Sequence, residues 1–104
     1  MDEVKKELIK FQKERDWKKF HTPENLAKSI SIEAAELLEH FQWGNEYDVD
    51  EVAMELADVL IYSMYMADSL NLDIEEIILN KMKKNAIKYP VEKSYGVSTK
   101  YDSL

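Results

Sequence analysis

Two carboxylate pairs hold the chemical potential of this sequence: Glu33-Ala-Ala-Glu36 and Glu55-Leu-Ala-Asp58. A spacing of three puts both members of a pair on one helix face, with Cβ atoms about 5–6 Å apart. In the helix carrying the first pair, the apolar stripe runs Leu26, Ile30, Glu33, Leu37, so Glu33 stands where a core residue is expected. In the next helix Glu55 and Asp58 edge the stripe Val52, Leu56, Val59, Met66. If the two helices fold back about a turn between Asn45 and Glu46, residues at equal height have numbers adding to about 91. Glu36 then meets Glu55, and Glu33 meets Asp58. Four acids brought together without a base repel one another and lose solvation. A hard divalent cation with oxygen ligands relieves both costs. The plain competing reading is a solvated acidic face, and the place of Glu33 in the apolar stripe argues against it.

Other metal sites fail on spacing. A ferritin-like di-iron site needs two Glu-x-x-His motifs, and neither His21 nor His40 stands three residues after a Glu. An EF-hand loop opening at Asp48 needs Gly at its sixth position and Glu at its twelfth, where this chain has Ala53 and Val59. Mg²⁺, or Mn²⁺ in its place, remains, because such ions bridge a few carboxylates to phosphate oxygens. A turn near Leu72 would bring Lys81, Asn85 and Lys88 back alongside the acids, with Lys81 and Asn85 one turn apart on one face. Trp43, on the extrapolated face of Glu36, and Tyr62, one turn beyond Asp58, are candidates to hold a planar ring. Trp17 and Phe20 are expected to close that pocket or simply to pack. His21 and His40 read as a loop residue and a helix-end residue rather than ligands.

The elements that must position these groups are helices. Two Gly and two Pro in 104 residues leave few tight turns, which excludes a many-stranded β fold, and the length suits one domain. The first helix is expected from about Asp2 to Asp16. The second opens on Thr22 with Pro23 at its first position and runs to Trp43, before Gly44-Asn45. The third spans about Val49 to Leu70, and the fourth opens on Asp73 and ends before Pro90. This is an all-α, antiparallel four-helix domain over residues 1–90, followed by a mobile tail over 91–104. The third helix is apolar on nearly all sides, which one small monomer hardly covers, so a helix-bundle homodimer or homotetramer is expected.

Charge narrows the partners. The net charge is −7, and the 52 residues between Lys28 and Lys81 hold thirteen Asp/Glu with no Lys or Arg. Such a belt repels a nucleic-acid polymer. The longest uncharged stretch, Val59 to Ala67, is too short to span a bilayer, and the charged N-terminus is no signal peptide. With no Cys in the chain, a cytoplasmic location is expected.

The four acids in this order, with Phe41-Gln42-Trp43, Arg15-Asp16-Trp17, Lys81, Asn85 and Lys88-Tyr89-Pro90, resemble the MazG-like all-α nucleoside triphosphate pyrophosphohydrolases, especially the short dCTP pyrophosphatase type. The resemblance covers roughly residues 11–90. Many members carry a further Glu directly before the first pair, where this chain has Ile32. The resemblance implies Glu33, Glu36, Glu55 and Asp58 as Mg²⁺ ligands and catalytic acids. It implies Trp17, Trp43, Tyr62 and Asn85 around base and sugar, and Lys81 toward the phosphates. It further implies hydrolysis of a (deoxy)nucleoside triphosphate to monophosphate and pyrophosphate, with removal of unwanted or noncanonical nucleotides as its purpose. Glu36 is the first choice to orient the attacking water, with Glu39 as its support. The alternative is a non-catalytic helical interaction module that docks a partner on its third helix.

Overall fold

The computed structural model describes residues 1–104 and is helical throughout, with no strand. It divides into two compact units, Met1–Asn71 and Leu72–Leu104. The first unit contains α1 (Asp2–Glu14), a 3-10 turn (Lys18–Phe20), α2 (Pro23–Glu39) and α3 (Val49–Ser69). The second contains α4 (Ile74–Lys88), the one-turn α5 (Val91–Ser94) and a 3-10 turn (Tyr101–Ser103).

Side-chain caps set the helix starts. The Thr22 hydroxyl accepts from the Asn25 amide at 3.3 Å, and Pro23 fills the first helical position. Asp48 Oδ1 accepts from the amides of Asp50 and Glu51 at 2.8 and 3.3 Å to open α3. Asp73 Oδ1 does the same for Glu76 at 2.9 Å to open α4. Each cap satisfies amides that have no partner inside the helix. After α3, Asn71 takes a positive φ of 55°, a backbone state that Asn tolerates better than most residues.

Within the first unit α3 packs against both α2 and α1. Pairing of Glu33 with Asp58 and of His40 with Glu51 makes α2 and α3 antiparallel. Tyr65 Oη donates to the Leu8 carbonyl at 2.8 Å, and Lys5 lies 4.0 Å from Asp68, so α1 also runs against α3 in the opposite sense. The core is small: Leu26 is 1% exposed, and beside it only Tyr65, Ala67 and Gln12 are buried.

Two expectations change. The second helix ends at Glu39, not Trp43, and residues 40–43 form successive turns. The segment 91–104, expected to lack regular structure, carries α5 and a 3-10 turn. Within its unit Tyr101 meets Tyr89 edge-on at 6.1 Å, and Lys88 Nζ sits 4.8 Å from the Tyr101 ring. These aromatic and cation–π contacts supply what the segment's missing periodicity did not reveal.

Candidate metal centre and adjoining cavity

Glu33 from α2 and Glu55 and Asp58 from α3 each place one carboxylate oxygen within 4.8 Å of the other two. The antiparallel crossing of two helices thus gathers acids that lie 22 to 25 positions apart in the chain. Glu33 and Glu55 are half-buried, and the Oε2 atom of each is buried without any hydrogen-bond partner. Glu36 stands beside Glu33 but lies outside the triad. Hydrogen bonding with the Glu36 carboxyl, then burial, then the charges of Glu36, Asp58 and Glu55 push the Glu33 carboxyl up to about 7 from its usual 4.5. Glu39, the expected support of Glu36, is exposed.

His40 is the basic group nearest to these acids on α2 and α3, with Nε2 3.7 Å from Glu55 Oε1 and Nδ1 4.0 Å from Glu51 Oε2. Three oxygens within one ion's reach, buried carboxylate oxygens of Glu33 and Glu55 that lack donors and a carboxyl raised by its neighbours fit a hard divalent cation. The same acids without a cation are held together against their charge.

Beside the triad lies a cavity of about 250 Å³ lined by Leu8, Phe11, Trp17, His21, Asp58, Ile61, Tyr62 and Tyr65. Asp58 belongs to both cluster and cavity. Trp17 meets Phe11 edge-on at 5.7 Å and His21 at 6.3 Å, and His21 lies against Tyr65 at 4.8 Å. Phe11 also carries the Arg15 guanidinium 3.6 Å from its centroid. The Tyr62 hydroxyl is pushed up, chiefly by burial and then by the charges of Glu33, Asp58 and Glu36. A planar aromatic ring in this cavity would find stacking surfaces and lie next to the carboxylates.

Of the residues expected around a ligand, Trp17 and Tyr62 line this cavity. Trp43 does not: with α2 finished at Glu39, its ring stands 90% exposed in the connection to α3. Lys81 and Asn85 lie one turn apart on α4 in the second unit. Sequence reasoning passed over Leu8, Phe11, His21 and Tyr65. Leu8 and Phe11 stand three apart on α1, the spacing of an apolar stripe, whereas His21 sits in an irregular link whose path no periodicity records.

An all-α chain whose crossing helices join a carboxylate triad to an aromatic cavity has the build of an enzyme with a place for a cation and a planar ring side by side. Residues 28–104 match the model of the MazG-like family. Over its whole length the chain is 33% identical to dCTP pyrophosphatase 1 of Mus musculus and 32% identical to that of Homo sapiens, spanning 67% of each. It also resembles the crystal structure of a pyrophosphatase from Archaeoglobus fulgidus, with 44% identity and a TM-score of 0.78 over 86% of this chain and 92% of that one. The chain belongs to the MazG-like family.

Proposed function

We propose that the protein hydrolyses (deoxy)nucleoside triphosphates to the monophosphate and pyrophosphate, with dCTP-like or noncanonical nucleotides as substrates. Pyrophosphohydrolase activity follows from the family and from relatives named as dCTP pyrophosphatases. The observation that carries the reading is the position of Asp58, shared between the carboxylate triad and the aromatic cavity. One side chain thereby joins the place for a cation to the place for a base.

Glu33, Glu55 and Asp58 would hold Mg²⁺ or Mn²⁺, with Glu36 completing the set of acids. A bound divalent cation supplies charge neutralisation of the triphosphate and lowers the pKa of a bound water. The chain's own residues do the rest. Trp17 and Tyr62 sandwich or flank the base, and burial keeps the Tyr62 hydroxyl protonated. Glu36, beside Glu33, accepts the proton of the attacking water. Water oxygen bonds to the α-phosphorus as the bond to the α–β bridging oxygen breaks, and pyrophosphate leaves. Trp43 and Asn85 are assigned to the surroundings of base and sugar, and Lys81 to the phosphates, by family resemblance.

The same reading includes a homodimer or homotetramer and a cytoplasmic role in cleaning the nucleotide pool. Ile32 and Leu38 on α2 and Met54, Leu56 and Leu60 on α3 are exposed apolar side chains, a surface that a second copy would cover. No helix is long and apolar enough to cross a membrane. The test is product analysis with dCTP and Mg²⁺. Equimolar monophosphate and pyrophosphate, lost on chelation, support the proposal, and release of orthophosphate overturns the bond assignment. Metal-independent inertness toward every triphosphate would favour the helical interaction module instead.

A further inference from the structure

We propose that Gln12 is a positioning residue that fixes His21 as its Nε2–H tautomer, so that the imidazole presents a hydrogen-bond donor to the aromatic cavity. Gln12 is the one buried residue of α1, 4% exposed in a helix otherwise dominated by charged side chains. Buried amides persist where they are bonded. Its Nε2 lies 2.7 Å from His21 Nδ1, and an amide N–H can only donate, so Nδ1 accepts. Burial lowers the His21 pKa and favours the neutral ring. A neutral imidazole that accepts at Nδ1 carries its proton on Nε2.

The ring cannot easily turn away. Tyr65 lies against it at 4.8 Å with planes tilted by 36°, and Trp17 and Tyr62 meet it edge-on at 6.3 and 6.4 Å. Tyr65 is itself tied to α1 through its bond to the Leu8 carbonyl. Nε2 has no protein partner and is not among the enclosed unpaired atoms, while the His21 ring lines the cavity. The donor is therefore left for a ligand. It suits a planar heteroaromatic ring with a carbonyl oxygen or ring nitrogen at its edge, held between the aromatic walls. This assignment rests on the nucleotide reading for the identity of that ligand, and on geometry alone for the tautomer.

The test has two arms. Long-range ¹⁵N–¹H spectra of the native protein at about pH 9, where imidazole is neutral, should give His21 a pyridine-like Nδ1 and a pyrrole-like Nε2. The opposite assignment overturns the proposal without any variant. Gln12→Glu supplies a carboxylate that only accepts, so His21 should switch to the Nδ1–H form. With dCTP and Mg²⁺ at the same pH, KM should rise about threefold to tenfold while kcat stays within about twofold. If the buried carboxylate disrupts folding, Gln12→Met serves: its nitrogen shifts should move toward those of a free imidazole, with a smaller rise in KM. An unchanged tautomer in a folded variant, or a switched tautomer with unchanged KM, overturns the positioning role. Failure of the native protein to turn over any nucleoside triphosphate would sink the nucleotide reading while leaving the tautomer assignment to stand or fall on the spectra.

Discussion

Glu33→Gln separates the electrostatic cost of the acid cluster from its purpose. In the metal-free protein the Glu33 carboxyl is raised from 4.5 to about 7 by Glu36, by burial and by Asp58 and Glu55. A raised carboxyl favours the folded state while protonated, and that advantage is lost as pH climbs from the unfolded value through the folded one. The chelated wild type should therefore lose stability between about pH 4.5 and 7. Raising the carboxyl from 4.5 to about 7 corresponds to roughly 3 kcal/mol. Glu33 is only half-buried, and solvent screening reduces this to about 1–2 kcal/mol. Gln keeps the shape and removes the charge, so at about pH 8 with chelator Glu33→Gln should be more stable by that amount, roughly 5 °C in Tm. Near pH 4.5 the two proteins should melt together. Adding Mg²⁺ should reverse the order, because binding to the native state stabilises only the protein that retains its ligand. Thermal melts across pH, with chelator and with Mg²⁺, provide the assay. A metal-free variant no more stable than wild type at pH 8 would refute the claim that these acids are held together against their charge.

Asp58→Asn should abolish turnover, at least about a hundredfold in kcat/KM, while circular dichroism shows unchanged helicity. Trp17→Ala should raise KM about tenfold with a small change in kcat, because the ring lines the cavity but not the carboxylate triad. Leu26→Ala should cost about 2–4 kcal/mol in urea unfolding, since the side chain is 1% exposed in a core of few residues. Titration calorimetry should find Mg²⁺ binding in wild type and marked weakening in Asp58→Asn.

Helix limits were legible where a side chain declares them. Thr22-Pro23 and Asp73 cap the helices they were expected to open, and Asp48 caps the helix expected from about Val49. The α2 terminus was overextended because Phe41 and Trp43 continue an apolar pattern after the backbone has left the helix. That pattern also misplaced Trp43, which stands exposed where continued helix would have set it one face with Glu36. Glu36 was placed level with Glu55, yet its contact is with its own helix neighbour Glu33.

The meeting of Glu33 with Asp58 followed from the linear order of residues, because helical rise is constant across a short antiparallel connection. The cavity did not follow. Its walls come from α1, an irregular link and α3, and the bond from Gln12 to His21 depends on how residues 15–22 bend in space. Periodicity encodes what lies along a rod. Only packing decides which rings close around a space between rods, since that path is set by contacts far apart in the chain.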